Sequence, residues 1–413
     1  MKKMRLFVTL TLLGLGLIGC GKKKAEEAVV TETPTPTVTE TATPTPEPTA
    51  ITPEVPLEEQ IPDGKVKSYL TGEYVSPEIG LRRPIAVSIN NVKDAIPSSS
   101  LSKAGVIYEA PVEGELTRLM PIFEDYDGLE KIGSVRSCRD YFLSYAGAFD
   151  AIYVHYGQCA YALSYFDLPQ VNNINGLGWY GDQVFYRTSD RKSPHNAYTS
   201  AEGIQKGIET KEFSQEYAAD YTPQFKFAWV GNTVNLDKGT DAAYVEVGYP
   251  YNKPWFVYNE QEGLYYRYEY GSEQMDDVFN VQLSCKNIIM EYVNWSPYES
   301  TQYLNIDTTS GGAGKYITNG KAIDITWTRD DLFGPARYYD ADGNEITLNT
   351  GVTWVCDVQN DRVADVRIGA SQETAVAEPA RENAGAPDNS DEIAAQSQPY
   401  LSKETLSLVG SGD

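Results

Sequence analysis

The sequence predicts an α+β protein, with an α/β N-terminal domain, a mostly antiparallel β C-terminal domain and disordered tails. In the first half, short apolar runs alternate with helix-like stretches, whereas in the second half strand-like runs follow one another. The stretches at about 22–60 and 370–413 are instead poor in large apolar residues. Strands separated by helices are typical of an α/β layer structure. The predicted divisions are a signal peptide (1–19), a lipid anchor and tether (20–64), the α/β domain (65–215), the β-rich domain (220–369) and a disordered tail (370–413).

The first twenty residues have the pattern of a bacterial lipoprotein signal. Lys2, Lys3 and Arg5 form a positive start, and the apolar run at 6–18 is shorter than the about 20 residues that a membrane span needs. The run ends in Leu-Ile-Gly-Cys, which resembles a lipobox and implies cleavage before Cys20 and a lipid on its sulfur. An ordinary signal peptide with a chance cysteine is the alternative. We expect a protein anchored in the cell membrane through Cys20 and facing the extracytoplasmic side.

A tether follows the predicted lipid anchor. The stretch TETPTPTVTETATPTPEPTAITPEVP repeats Thr, Pro and Glu and contains few aliphatic residues, so it cannot bury enough apolar surface to fold. A Pro-rich chain extends by about 3.1 Å per residue, which gives this one a reach on the order of 100 Å. The tail at 370–413 is rich in Ala, Glu, Asn, Ser and Pro and is predicted to be disordered as well.

The overall charge excludes one class of partner. The 413-residue chain has 58 Asp and Glu against 34 Lys and Arg, a formal net charge of -24. Binding to nucleic acid needs a surplus of cations to neutralise phosphates, so no nucleic-acid partner is expected. The same argument speaks against docking of the whole surface on anionic lipid headgroups.

The predicted α/β domain contains four buried strands and two helices. The strands are PIAVSI (84–89), GVIYE (105–109), LTRLMPIF (116–123) and AIYVH (151–155), and the helices cover 140–149 and 201–210. In the predicted β domain, Asn319-Gly320 and Asp342-Gly343 lie between alternating runs and are typical of hairpin turns. Its predicted strands are FKFAWV, AAYVEVGY, PWFVYN, LYYRYEYG, NVQLS, NIIMEYV and the two halves of KYITNGKAIDITW.

Aromatic and polar residues alternate in two of the β-domain runs, LYYRYEY and KPWFVY. This alternation predicts a sheet with a tyrosine-rich outer face. Such a face can be structural only, or it can bind a glycan or a peptide through residues such as Trp255 and Tyr266.

Four cysteines remain after Cys20. Disulfides form in exported proteins, and Cys138–Cys159 with Cys285–Cys356 is the simplest connectivity because it places one bridge in each half. Four free buried thiols are the alternative. No C-x-x-C motif points to a zinc site, and no base is fixed beside Cys138 that would make it a nucleophile.

Several stretches are similar to the YerB-like lipoproteins of Gram-positive bacteria. They are RPIAVSINN, GVIYEAPVEGELTRLMPIF, KIGSVRSCRDYF and AIYVHYG in the first half, and GKYITNGKAIDITWTRDDLFGPARYYDADGNEITLNTGVTWV in the second. The resemblance covers most of residues 80–360 and implies a lipoprotein with a two-part conserved domain of unknown function. It implies no reaction. Cys138 departs from the pattern, in which a small residue is expected at this position.

Polar residues gather at predicted strand ends of the first half, where ligands bind in open α/β sheets. Arg136 and Arg139 lie just before a predicted helix, whose free N–H groups favour anions, and guanidinium groups recognise phosphate and carboxylate. The sequence therefore indicates an anion site, with internal ion pairs as the alternative. The candidates for the anion are Arg118, Arg136, Arg139, Asp140, Arg191 and His195, and further candidates are Glu109, Glu113, His155 and Asn90. No metal is predicted, because no metal-binding motif accompanies the two histidines.

Two functions follow from these residues. In the first, the protein binds a cell-envelope component, which is a glycan, an anionic ligand or a protein partner, without catalysis and without a cofactor. In the second, it is a cell-envelope enzyme that transfers a phosphoryl or glycan group of a polyprenyl-(pyro)phosphate-linked substrate, with its site at the arginines. The stretch from LTRLMPIF to IGSVRSCRDYF resembles the LytR-CpsA-Psr phosphotransferases, and the resemblance implies that arginines grip a polyprenyl pyrophosphate and acidic residues hold Mg²⁺. The absence of a complete catalytic motif favours the binding function.

Overall fold

Strands outnumber helices in the computed structural model of the protein, which describes residues 59–298 and 301–387. The α-helices are α1 (Pro77–Gly80), α2 (Asp140–Gly147), α3 (Gly181–Val184) and α4 (Ala201–Lys211), and the 3₁₀ helices are Lys93–Ala95, Leu101–Lys103, Glu113–Glu115, Ala160–Tyr165 and Asn360–Asp365. The strands before residue 220 are β1 (Val66–Lys67), β2 (Tyr74–Val75), β3 (Ile85–Val87), β4 (Ile89–Asn90), β5 (Val106–Pro111), β6 (Thr117–Phe123), β7 (Ile132–Gly133), β8 (Ile152–His155), β9 (Asn173–Asn175), β10 (Phe185–Arg187) and β11 (Ala197–Thr199).

The strands after residue 220 include several of only two residues. They are β12 (Thr240–Asp241), β13 (Tyr244–Glu246), β14 (Trp255–Asn259), β15 (Leu264–Glu269), β16 (Ser272–Glu273), β17 (Met275–Asp276), β18 (Val281–Gln282), β19 (Ser284–Cys285), β20 (Asn287–Val293), β21 (Trp295–Pro297), β22 (Leu304–Ile306), β23 (Gly312–Thr318), β24 (Lys321–Thr328), β25 (Arg337–Tyr339), β26 (Thr353–Gln359), β27 (Arg367–Gly369) and β28 (Val376–Ala377).

A twelve-stranded sheet runs through both halves of the chain. Its order is β12-β24-β23-β20-β26-β5-β6-β3-β8-β9, with β25 on β24 and β4 on β6. β5 pairs in parallel with β26 of the second half and antiparallel with β6. Because every residue of β5 is buried, its backbone groups need a partner strand on each edge. The expected α/β N-terminal domain is therefore corrected: the first half contributes to a mixed sheet that it shares with the second half.

The two faces of this sheet bury two separate apolar cores. Successive residues of a strand point to opposite faces, so Ile85 and Val87 belong to one core and Ala86 to the other. The first core also contains residues of α4 and of a second, seven-stranded sheet, whereas the second core contains residues of α2. The molecule is thus layered, with α2 on one side of the sheet and α4 and the second sheet on the other.

The seven-stranded sheet has an apolar inner face and an aromatic outer face. Its order is β16-β15-β14-β13-β27-β28, with β19 on β15, and neighbouring strands are antiparallel. Phe256 and Tyr265 are buried in the first core, while Trp255 and Tyr268 stack across β14 and β15 with ring centroids 5.0 Å apart. The mostly antiparallel C-terminal part and its aromatic outer face agree with the prediction.

Several local elements agree with the sequence-based prediction. The two predicted helices correspond to α2 and α4, and Asn319-Gly320 forms the turn between β23 and β24 with positive φ at both residues. The run FKFAWV is not a strand in the structure, where Phe227 makes one isolated bridge to Leu348.

The segment 370–387 is ordered, which corrects the first part of the predicted disordered tail. β28 pairs with β27, and the Glu378 carboxylate forms an ion pair with Lys315, with 2.9 Å between Oε2 and Nζ. Asn383 donates to the carbonyl of Trp295 at 2.9 Å. The pairing with β28 satisfies the free edge of β27, and the other two contacts fix the segment to β23 and β21, which composition alone did not indicate. The predicted signal peptide, Cys20, most of the tether and the tail beyond residue 387 lie outside the described residues.

Candidate anion-binding site

The segment 133–139 crosses the carboxyl ends of the parallel strands β3 and β8. The Arg136 N–H donates to the carbonyl of Ser88 at 2.8 Å, and the Cys138 N–H donates to the carbonyl of Gly157 at 2.9 Å. The Arg136 carbonyl accepts from the Tyr156 N–H at 3.0 Å. The segment is therefore fixed by its backbone at the edge of the sheet where ligands usually bind in such folds.

Arg118 is the buried member of the site. It lies on β6 opposite Asn90 of β4, is 5% exposed and donates from Nη1 to the carbonyl of Ser137 at 2.6 Å. Its Nε has no hydrogen-bond partner. Burial, followed by the nearby charges of Arg139 and Arg136, lowers the pKa of Arg118 to about 10. This buried guanidinium, with an unused Nε donor and two other cations beside it, makes no ion pair of its own within the described part of the chain.

Arg139 has such a counter-charge in Glu113. Its Nε and Nη2 donate to the two carboxylate oxygens of Glu113 at 2.7 and 2.5 Å, which is the bidentate geometry of a strong pair. Burial lowers the pKa of Arg139, but the hydrogen bonds and the charge of Glu113 raise it above its ordinary value. This pair confirms the internal alternative for Arg139.

Arg136 and Arg187 complete a set that we call the arginine cluster, formed by Arg118, Arg136, Arg139 and Arg187. Arg136 is half-buried, its Nε has no hydrogen-bond partner, and its Nη1 makes a long contact of 3.5 Å to the carbonyl of Pro194. Burial and then the charges of Arg139 and Arg187 lower its pKa. Arg187 is exposed and lies over the ring of Tyr156, with 4.8 Å between its guanidinium carbon and the ring centroid.

The cluster carries excess positive charge in an acidic protein. Among the described residues, its hydrogen bonds and ion pairs reach one carboxylate, that of Glu113, and Asp140 adds a second negative charge near Arg139. Four guanidinium groups are therefore not fully neutralised.

Asn90 and His195 stand beside the cluster. The Asn90 Nδ2 donates to the His195 Nδ1 at 2.8 Å, which places the proton of the neutral imidazole on Nε2. Burial and then the charge of Arg136 lower the pKa of His195, so it is neutral at neutral pH. These two residues can therefore donate or accept hydrogen bonds at the site without adding charge.

The hydrogen bonds of Asp140 go to groups outside the arginine cluster, although the charge of Arg139 acts on its carboxyl group. Its Oδ2 accepts from the Tyr298 hydroxyl at 2.5 Å, and its Oδ1 accepts from the Cys159 thiol at 3.8 Å. Burial raises its pKa to about 6. Asp140 is thus part of the packing around the start of α2, which corrects its prediction as an anion-site residue.

Three other predicted residues have separate structural roles. Glu109 is fully buried and pairs with Arg267 at 2.5 Å, at the contact between the two sheets. Arg191 donates to the carbonyls of Ala95 and Pro97 at 2.5 and 2.7 Å, which ties a loop together. His155 is stacked between Tyr153 and Phe166, and burial lowers its pKa to about 4.

The four cysteines are buried free thiols in the structure, which agrees with the second of the two alternatives for them. Burial raises the pKa of Cys138 well above its ordinary value, and the same holds for Cys356. A thiol of this kind is a poor nucleophile.

Arg187 was missed because nothing near it in the sequence marks it. It lies on β10, which pairs with β11, and β11 pairs with β7 at the start of the segment 133–139. Two successive strand pairings bring it to the cluster from about 50 residues away in sequence. A basic residue on a short strand just before RKSPHN was the only available signal.

In the described part of the chain, no group of three or more His, Cys, Asp or Glu side chains is arranged to hold a metal ion. None of the helices found there is long and apolar enough to cross a membrane.

Comparisons with known proteins identify relatives that match most of the chain. Residues 70–214 match the N-terminal domain, and residues 245–355 the C-terminal domain, of a family described as "Protein of unknown function (DUF3048)". The chain is 30% identical over 319 residues to a protein of Bacillus subtilis (strain 168) named "Putative lipoprotein YerB", covering 76% of this chain and 92% of the relative. It is also similar to the crystal structure of the Bacillus subtilis YerB protein, with a TM-score of 0.63, 29% identity and coverage of 71% of this chain and 97% of the other.

Proposed function

Because the chain belongs to the YerB-like lipoprotein family, DUF3048, we propose that it is a lipoprotein that binds an anionic component of the cell envelope at the arginine cluster, without catalysis. In this proposal the lipid on Cys20 anchors the protein in the membrane, and the tether lets the folded part reach its ligand on the extracytoplasmic side.

The observation that carries the proposal is the uncompensated charge of the cluster. Arg118 is buried with an unpartnered Nε, Arg136 is half-buried with another, and Glu113 is already occupied by Arg139. Keeping like charges together in a protein interior is costly, and a bound anion removes that cost. A protein with a net charge of -24 has no general need for such a group.

No observation favours the transfer-enzyme function. That function needs acidic residues beside the arginines to hold Mg²⁺, and Asp140 instead points to Tyr298 and Cys159. Binding by the cluster needs no cofactor and no nucleic acid.

Calorimetric titration of the full-length lipoprotein in detergent, with inorganic phosphate and pyrophosphate, tests the proposal. Each arginine removed from the cluster takes away charge-assisted hydrogen bonds, so Arg136→Gln and Arg187→Gln are each expected to weaken binding by about tenfold or more. Binding should also weaken as salt is added. Arg337→Gln is the matched control, because Arg337 is another half-buried arginine, on β25 of the second half.

Absence of binding by the wild-type protein would reject the site. Equal weakening by Arg337→Gln and Arg136→Gln would show that the anion responds to overall charge and not to the cluster. Neither variant removes a buried pair, so we expect both to fold as the wild type does.

A further inference from the structure

An exposed apolar loop lies beside the arginine cluster. Leu177 is 65% exposed and Trp179 is 84% exposed, which are the two highest values among the large apolar side chains of the first half. Both belong to residues 176–180, which directly follow β9. An exposed tryptophan next to a charged site is unusual on a soluble surface and points to a ligand contact.

The loop and the arginine cluster contact the same neighbouring residues. A Cβ added at Gly157 would lie 3.1 Å from the Ser137 Oγ and 3.5 Å from a methyl carbon of Leu177, so Leu177 lies next to the residue whose carbonyl binds Arg118. A Cβ added at Gly176 would lie 2.3 Å from the Tyr156 ring, the same ring that carries the Arg187 guanidinium.

The loop is held in place and does not depend on a ligand for its position. The Tyr180 hydroxyl accepts from the Asn175 N–H at 3.2 Å, and the Asn175 Oδ1 accepts from the N–H groups of Gly157 and Leu177, each at 3.0 Å. Trp179 packs edge-on against Tyr180 with 5.7 Å between ring centroids. One face of the indole is therefore offered to solvent by a fixed backbone.

Polar residues come before and after the two apolar ones in the sequence. Gln158 and Asn175 are half-buried and hydrogen-bonded to each other at 2.8 Å, and Asp182 and Gln183 are exposed. An acyl chain needs a continuous apolar channel, whereas a sugar offers hydroxyls to amides and a flat C–H face to an aromatic ring.

The charge of the cluster selects the anionic part of the ligand. The nearby carboxylates do not neutralise the four arginines of the cluster, whereas a phosphate monoester would add about -1.5 to -2 at neutral pH and three acceptor oxygens. We propose that the site takes a phosphorylated sugar, with the phosphate on Arg118, Arg136 and Arg187 and the sugar ring on Trp179 and Leu177. This inference rests on the proposed function, because it names the ligand class of the same site.

Glucose 1-phosphate and inorganic phosphate, titrated separately into the full-length lipoprotein in detergent, test the inference. Stacking of the ring on Trp179 should make glucose 1-phosphate bind about tenfold tighter than phosphate. Trp179→Ala should abolish this difference and leave phosphate binding unchanged within about twofold. The control is Trp229→Ala, since Trp229 is also exposed, at 39%, but belongs to another part of the chain.

The outcomes separate the two proposals. Equal binding of both probes by the wild type, or a preference that survives Trp179→Ala, would overturn the sugar contact and leave the anion site standing. Binding of neither probe would reject both. Short-chain (dihexanoyl) phosphatidic acid, titrated in the same way, provides the remaining arm: binding tighter than that of phosphate, lost in Trp179→Ala and without any preference for glucose 1-phosphate, would assign the loop to a lipid and overturn the inference.

Discussion

Arg139 and Glu113 form the one compensated pair of the arginine cluster, and this gives Glu113 two opposing effects. Its carboxylate receives two hydrogen bonds from Arg139, and both side chains are mostly buried, at 10% and 18% exposure. The pair therefore stabilises the start of α2. The same carboxylate lowers the positive potential that an anion would meet at Arg118 and Arg136.

We predict that Glu113→Gln destabilises the protein and tightens anion binding. Loss of a charge-assisted pair costs about 1.5–3 kcal/mol, which a lower melting temperature would report. Removal of the negative charge should tighten pyrophosphate binding several-fold in calorimetry. Asp127→Asn is the control, since Asp127 is 70% exposed in its pair with Arg82 and should change stability by less than about 1 kcal/mol. Weaker pyrophosphate binding by Glu113→Gln would contradict a cluster limited by its positive charge.

At the scale of elements, β28 protects an edge of the seven-stranded sheet. It pairs with β27 through Arg367 with Ala377 and Ile368 with Val376. The residues after it continue the contact, because Glu378 pairs with Lys315 of β23 at 2.9 Å. The segment 376–378 therefore connects the edge of the seven-stranded sheet with β23 of the twelve-stranded sheet.

We predict that truncation after Gly369 destabilises the protein by about 2–4 kcal/mol, from the lost strand pairing and a charge left without one of its partners. The exposed edge of β27 should also promote association. Denaturant unfolding and light scattering measure the two effects. Truncation after Pro387 is the matched control, because it keeps every contact of β28 and Glu378. Similar stability of the two truncations would show that β28 contributes nothing.

At the scale of the whole molecule, several carboxyl groups are buried in the layered core. Burial is the largest cause that raises the pKa of Glu269 to about 7, of Glu124 to about 7 and of Asp140 to about 6. In each case the folded state holds its proton more tightly than the unfolded chain does. These three groups make folded molecules bind more protons than unfolded ones between about pH 4 and pH 7, and their contribution to the free energy of unfolding falls as the pH rises through this window. His155, whose pKa burial lowers to about 4, acts in the opposite direction below about pH 6.5 but is outnumbered by the buried carboxyl groups.

We therefore expect a higher free energy of unfolding near pH 4.5 than near pH 7.5, measured by denaturant titration at each pH. Glu269→Gln should reduce the difference in the free energy of unfolding between the two pH values by up to about 3 kcal/mol, because the amide does not titrate. Glu269 is 1% exposed and its Oε1 has no hydrogen-bond partner, so the amide keeps the shape of the site. Exposed Glu273→Gln should leave the profile unchanged. A rise in stability between pH 4.5 and pH 7 would contradict the raised pKa of these groups.

The sequence predicted much of the local structure and part of the site. Hydrophobic patterns located α2, α4 and most central strands, since burial of one face imposes a period on the residues that form it. The cluster of Arg118, Arg136 and Arg139 was predicted because two of its members are three residues apart. Arg187 was not predicted, because it reaches the cluster through two strand pairings. Asp140 was predicted as a site residue because it follows Arg139 in sequence, but its side chain bonds Tyr298 instead.

What the sequence determined by itself is written in patterns of neighbouring residues. These patterns are the Leu-Ile-Gly-Cys run that ends at Cys20 and resembles a lipobox, the Thr-Pro-Glu repeat, the helix and strand periods, the Asn319-Gly320 turn and the motifs that place the chain in its family. The tertiary structure decided which charges are compensated and which are not. Glu109 forms an ion pair with Arg267, which is 158 residues away in sequence and lies on the other sheet, whereas Arg118 forms no ion pair with any described residue and its Nε has no hydrogen-bond partner. The energy of a buried charge depends on what surrounds it in space, and local sequence patterns do not show those surroundings.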